Sequence, residues 1–206
     1  CSGVTWSHNY TGLSDLCGAT GATTVTFTAT DACGNFSTST ATFTIKDTTK
    51  PVMKAASNLT VECDGNGNCG GISNNSALNN WLANHGGATA TDTCSGVTWS
   101  HNYTGLSDLC GATGTATVTF KASDACGNFS TSTATFTIKD TTKPVFTACP
   151  SNIILNACTP TATWIEPKAN DICAGAISVV RTGPAPNSTF ANGTTTTIKY
   201  TATDPC

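Results

Sequence analysis

An all-β fold of serial β-sandwich domains is predicted by three observations: a hydroxyl-rich composition, a repeat of domain length, and strict apolar alternation in the repeated strand. Of 206 residues, 42 are Thr and 17 are Ser, and Thr, branched at Cβ, favours strands over helices. Ala, Val and Phe interleave with it, as in Thr117-Val-Thr-Phe-Lys-Ala122, the period-2 pattern of a strand with one buried face. Charged residues are 10% of the chain and the net charge is −3, which leaves no clustered basic surface for nucleic acid. Uncharged apolar runs stop far short of the roughly 20 residues of a membrane-spanning helix, so no membrane insertion is expected of this segment.

Cys1 to Val52 reappears as Cys94 to Val145, an offset of 93 with four differences in 52 positions. The differences are Ala22/Thr115, Thr23/Ala116, Thr28/Lys121 and Thr30/Ser123. None touches Val25, Phe27 and Ala29 or their copies Val118, Phe120 and Ala122. The period is too long for a solenoid and fits the roughly 100 residues of an immunoglobulin-like sandwich. Tandem immunoglobulin-like domains are therefore expected. The phrase Asp47-Thr-Thr-Lys-Pro51 recurs as Asp140-Thr-Thr-Lys-Pro144, and its proline sets a stiff extended path. Boundaries placed there give residues 1–47 as the back part of one domain, 48–140 as a complete one and 141–206 as the front of a third. On this phasing the sequence is a window from a longer array.

Within 48–140, strands are expected at about Ser57 to Cys63, Ala88 to Asp92, Val97 to His101, Ala116 to Ser123 and Ser132 to Lys139. A short helix interrupts them. Ser76 can cap it, Leu78, Trp81 and Leu82 share one face, and Gly86-Gly87 ends it. The third segment is diverged but aligns: Asn170-Asp-Ile-Cys173 matches Thr91-Asp-Thr-Cys94, and Tyr200-Thr-Ala-Thr-Asp-Pro-Cys206 matches Phe120-Lys-Ala-Ser-Asp-Ala-Cys126.

The chain has 12 cysteines, none in a Cys-x-x-Cys pair, so a disulfide framework in an oxidising, extracellular compartment is expected rather than a zinc site. Cys110 and Cys126 flank one extended strand and are too far apart to pair. Cys94 and Cys126 each end a strand at one pole of the sandwich, which predicts Cys94–Cys126 and, by the repeat, Cys1–Cys33 and Cys173–Cys206. Cys63 and Cys110 fall at the opposite pole and are expected to pair, with a Cys63–Cys69 loop as the competitor. Cys17 is expected to pair outside residues 1–206. Cys149 either pairs outside them too or closes on Cys158.

Cys149-Pro-Ser-Asn-Ile153, Ala162-Thr-Trp-Ile-Glu-Pro167, Asn170-Asp-Ile-Cys173, Phe190-Ala-Asn-Gly193 and Tyr200-Thr-Ala-Thr-Asp204 together resemble a hyalin repeat (HYR) module, an immunoglobulin-like extracellular adhesion domain. Val61-Glu-Cys-Asp-Gly65, Trp81-Leu-Ala-Asn84, Gly87-Ala-Thr-Ala-Thr-Asp92 and Asp124-Ala-Cys-Gly-Asn128 resemble the tandem modules of giant Bacteroidota surface adhesins, of the flavobacterial gliding-motility (SprB-like) type. The resemblance implies a stiff cell-surface fibre exported by type IX secretion. Its partners would be neighbouring repeats and a substratum, cell-surface or polysaccharide ligand. Cys69 departs from the pattern.

No hydrolase, metalloprotease, Walker or dinucleotide motif occurs, so no enzyme and no cofactor are expected, with calcium the one candidate ion. Asp64-Gly-Asn66-Gly-Asn68 has the alternating oxygens of a calcium loop, but the same residues also build tight turns. Asp47 and Asp140 are alternative ligands for calcium where repeats meet. Thr48 and Thr141, in Asp-Thr-Thr, resemble a Bacteroidota O-glycosylation acceptor, with linker rigidity as the plainer reading. Trp6 and Trp99, alternating with Thr and Ser on a strand, are either buried sandwich tryptophans or platforms for a glycan.

Overall fold

The computed structural model describes residues 3–64, 75–107, 109–156, 158 and 160–206. It is an all-β chain of small sandwich-like sheets with disulfides and one short helix. In the first copy of the repeat, β1 (Val4–His8), β2 (Gly21–Asp31) and β3 (Phe36–Ile45) form one antiparallel sheet in that order. The β2–β3 turn is held by Asp31. Its Oδ1 accepts the Cys33 and Asn35 amides at 2.8 and 2.9 Å, and its Oδ2 accepts Asn35 Nδ2 at 2.9 Å. Asp124 and Asn128 repeat the device in the second copy.

Between and within the copies come β4 (Val52–Lys54), β5 (Leu59–Glu62), α1 (Asn75–Ala83), β6 (Thr89–Thr91), β7 (Thr98–His101), β8 (Gly114–Ser123) and β9 (Phe129–Lys139). Strands β4 and β6 pair, and β5-β9-β8-β7 form a four-stranded sheet in which β5 runs parallel to β9. A parallel pair needs a long crossover, and here it is everything from residue 63 to 128. Strand β8 buries Ala116, Val118, Phe120 and Ala122 and turns its threonines outward. Those threonines bond across to β9, Thr117 to Thr135 at 3.2 Å and Thr119 to Thr133 at 3.1 Å. Such cross-strand pairs stabilise a sheet face, which gives the Thr excess a structural use. Helix α1 buries Leu78, Trp81 and Leu82 as the spacing predicts, with the Trp81 ring 5.6 Å from Phe136. Ser76 lies inside the helix rather than capping it.

The third segment carries β10 (Val145–Phe146), β11 (Thr161–Ala162), β12 (Ala169–Asp171), β13 (Gly175–Ile177), β14 (Val179–Thr182), β15 (Ser188–Thr189) and β16 (Lys199–Ala202). They form the small sheets β10-β12-β13, β11-β15 and β14-β16. Trp164 Nε1 donates to the Tyr200 hydroxyl at 2.5 Å, and Arg181 pairs with Glu166.

The chain divides into two compact units. The first comprises residues 1–57, 84–102 and 118–134, and its core holds Val118, Phe120 and Ala122, with His85 and His101 edge-on to Phe120. The second comprises residues 58–83, 103–117 and 135–206, and its core holds Leu78, Trp81, Phe136 and Ile138.

Candidate functional site

Each unit contains a junction where one copy of the repeat is bonded to the next. In the first unit, the loop of residues 17–20 from the first copy lies against Cys94 and Cys126 of the second. Cys17 is disulfide-bonded to Cys126, with Cα atoms 5.1 Å apart. The Ala19 amide donates to the Cys94 carbonyl at 2.9 Å. Gly18 has φ +57°, and a Cβ there would stand 2.7 Å from the Cys94 oxygen, so this close approach requires glycine. The Thr20 hydroxyl closes the loop by donating to the Cys17 carbonyl at 2.6 Å.

The second unit repeats this set of contacts. Cys110 is bonded to Cys206, with Cα atoms 5.4 Å apart, and the Ala112 amide donates to the Cys173 carbonyl at 3.1 Å. The Thr113 hydroxyl donates to the Cys110 carbonyl at 2.6 Å. Because Cys110 is Cys17 shifted by 93 and Cys206 aligns with Cys126, the two disulfides are one bridge in successive periods. A further bridge, Cys63–Cys173, reinforces the second junction. Cys94, which aligns with Cys173, is a free thiol.

These bonds correct most of the expected pairings. Cys126 takes Cys17 rather than Cys94, Cys206 takes Cys110 rather than Cys173, and Cys63 takes Cys173 rather than Cys110. Cys17 finds its partner within the chain. The reason is that several strand ends share a pole, so a shared pole does not choose among them. The Cys94 and Cys126 turns are neighbours, with the Ala125 amide donating to Ser95 Oγ at 3.0 Å, but the incoming loop of residues 17–20 reaches Cys126. The bond to Cys173 also removes Cys63 from any pairing with Cys69, which lies outside the described residues. Cys149 and Cys158 are both free thiols and do not close on one another. Cys33 is disulfide-bonded, while its expected partner Cys1 lies outside the described residues.

Acidic side chains gather at the same two places. Asp47 is buried in the first, where one of its carboxylate oxygens, one of Asp92 and the Cys94 sulfur lie within 4.8 Å of one another. In the second, Asp140 stands in the same relation to Cys63 and Cys173, and separately to Asp204 and Cys206. Asp92 and Asp204 stood out in the sequence only as members of the aligned phrases that end on Cys94 and Cys206. Their shared signal is an Asp two positions before a bridge-position cysteine.

The remaining candidates are dispersed. Trp99 is half-buried and stacks on His85, with ring centroids 4.2 Å apart and planes 10° from parallel, whereas Trp6 is exposed on β1. Burial, then the nearby His101, lowers the pKa of His85. Thr48 is exposed, and the Thr141 amide and hydroxyl both donate to Glu62, at 2.6 and 2.9 Å. Asp64 is exposed, while Asn66 and Asn68 lie outside the described residues. A cleft of about 710 Å³ in the third segment is lined by Ile153, Ile154, Trp164, Phe190 and Tyr200 among others, with no Asp, Glu, His, Lys or Arg in its wall.

Comparison with known proteins bears on the third segment most directly. Residues 139–206 match the HYR domain. That is an immunoglobulin-like, extracellular repeat family of the adhesion type. No curated protein matches the chain. Among solved structures it is similar to the protocadherin gammaB7 EC3-6 cis-dimer at 15% identity, over 88% of this chain and 56% of that one, with a TM-score of 0.32. The protocadherin gammaB4 extracellular domain gives 18% identity over 89% of this chain and 31% of that one, with a TM-score of 0.31. The chain thus spans 56% and 31% of the length of these two structures.

Proposed function

We propose that this chain is a segment of a structural and adhesive stalk on a bacterial cell surface. The back part of one immunoglobulin-like repeat (1–47), a complete one (48–140) and the front of a third (141–206) are tied to one another by disulfides. The observation that carries the reading is the bridge that recurs between consecutive copies, Cys17–Cys126 and Cys110–Cys206. Each bridge lies within one compact unit, and because it joins segments distant in sequence it also shortens the covalent path along which tension travels. From residue 1 that path runs 16 residue steps to Cys17, crosses to Cys126, runs back 16 steps to Cys110 and crosses to Cys206. At a reach of roughly 3.5 Å per residue the bridged chain extends by at most about 110 Å even when unfolded, against about 700 Å without the bridges. A fibre under drag or cell traction benefits from that limit. The HYR match of residues 139–206 and the resemblance of the repeated unit to Bacteroidota adhesins support placing the parent protein among cell-surface adhesins of the gliding-motility type, with type IX export.

Single-molecule pulling on the chain from both termini tests the stalk reading. Full extension under non-reducing conditions should stay near the short limit, and a reductant should release several hundred ångströms more. Equal contour lengths with and without reductant would falsify it.

A second reading, a module that itself holds carbohydrate or a protein partner, is favoured by the exposure of Trp6 on β1. A glycan array probed with the chain decides between them. Specific binding lost in Trp6→Ala with the fold intact supports the second reading.

A further inference from the structure

The geometry points to a cation site at each junction: we propose that Asp47 with Asp92, and Asp140 with Asp204, each hold a hard divalent cation of the calcium class. Asp47 is 6% exposed, and its Oδ1 accepts the Thr49 amide and hydroxyl at 2.9 and 2.7 Å. Its Oδ2 is buried and meets no hydrogen-bond donor among the described residues. A second acid, Asp92, brings a carboxylate oxygen within 4.8 Å, and its Oδ1 is committed to the amides of Cys94 and Ser95 at 2.9 and 3.1 Å. Two carboxylates this close repel strongly where water is scarce, and an unpartnered buried anionic oxygen is costly. No ion pair with a basic side chain reaches Asp47 or Asp92 among the described residues.

The second junction has an acidic pair of its own, Asp140 with Asp204. The Oδ1 of Asp140 accepts the Thr142 amide and hydroxyl at 3.1 and 3.0 Å, and its Oδ2 is again buried without a partner. Asp171 is 2% exposed, accepts the Cys173 and Ala174 amides at 2.7 and 2.9 Å on Oδ1, and leaves Oδ2 unpartnered. Asp204 brings another carboxylate oxygen within 4.8 Å of Asp140.

The donor set selects the ion. At the second junction the sulfurs of Cys63 and Cys173 are joined to each other and are not thiolate ligands. What the two junctions share is paired carboxylate oxygen, which suits a hard cation and not zinc, whose structural sites use thiolate or imidazole. The site stands on this geometry whether or not the chain serves as a stalk.

Isothermal titration of calcium into the intact, chelator-treated, non-reduced chain tests the proposal. The expected result is two ions per chain, with dissociation constants in the range of about 0.1–1 mM typical of extracellular modules. Asp47→Asn should remove one ion and Asp140→Asn the other, because each Asn keeps the Oδ1 acceptor that shapes the turn and gives up the charge. In chelator, both variants should melt at or above the temperature of the parent chain, which shows that they fold and that the carboxylates repel when no ion is bound. Three outcomes overturn the proposal: no calcium uptake up to about 10 mM, ten times the weak end of that range; an unchanged ion count in both variants; or uptake of zinc alone, lost in Cys94→Ser.

Discussion

The two copies of the repeat share 48 of 52 residues and the same paired strands, yet they bury their side chains differently. Phe120 is fully buried while its counterpart Phe27 is 40% exposed, and Phe136 is fully buried while Phe43 is 59% exposed. The four substitutions do not explain this, since none lies at those positions. They show instead in contacts on the strand: the Lys121 ammonium stands 4.0 Å over the Phe129 ring, and the Thr115 hydroxyl, where the first copy has Ala22, donates to the Phe136 carbonyl at 3.1 Å. The difference teaches that strand formation and register are local properties of the repeated segment, whereas its core is not. Residues between the copies supply the lid: Trp81 meets Phe136, and His85 meets Phe120. Without such a lid, the apolar face of β2 and β3 stays in solvent.

That contrast can be broken by truncating the same residue in both copies. Phe136→Ala should cost about 3–5 kcal/mol, the range for large-to-small changes in a packed core. Phe43→Ala should cost under about 0.5 kcal/mol, as for surface changes. Hydrogen exchange of the β8–β9 and β2–β3 amides in the two variants measures both.

Removing a junction bridge ranks next. Replacing Cys17 and Cys126 together by Ser should lower the stability of the first unit by about 2–4 kcal/mol, read by denaturant titration followed through exchange in that unit alone. The junction glycines come third. Gly18→Ala forces a Cβ to 2.7 Å from a carbonyl oxygen at φ +57°, while Gly34→Ala, at φ +88° in open space, meets only the backbone strain. We expect the first to exceed the second by about 1 kcal/mol or more, measured by thermal melts of each variant.

The smallest effect concerns pH. The pKa of His85 is lowered by burial and by His101, so the folded state favours its neutral form. Its contribution is therefore complete at neutral pH and above, and is lost as the pH falls from the ordinary imidazole range through the depressed folded value. Melting temperature against pH should show that decline, and His85→Gln should flatten it.

Much of the fold could be read from local pattern alone. Alternation in Thr117-Val-Thr-Phe-Lys-Ala122 located β8 and its buried face, and the i, i+3, i+4 spacing of Leu78, Trp81 and Leu82 located the helix and its buried side. The parallel placement of β5 beside β9 was not legible, because it depends on a crossover of more than sixty residues and not on either strand's own pattern. The bridges were half legible. Sequence offsets put the turns of Cys94 and Cys126 at one end, but nothing local to them reveals that residues 17–20 of the other copy arrive there. The candidate cation ligands were half legible for the same reason. Asp47 and Asp140 stand in a recurring phrase, while Asp92 and Asp204 carry no such mark until folding brings them to the junction.

Non-reducing peptide mapping tests most directly the claim that consecutive copies are covalently tied. The expected cross-linked peptides join Cys17 to Cys126, Cys110 to Cys206 and Cys63 to Cys173. Peptides joining Cys94 to Cys126 and Cys173 to Cys206 would show that each copy closes on itself and would contradict the account.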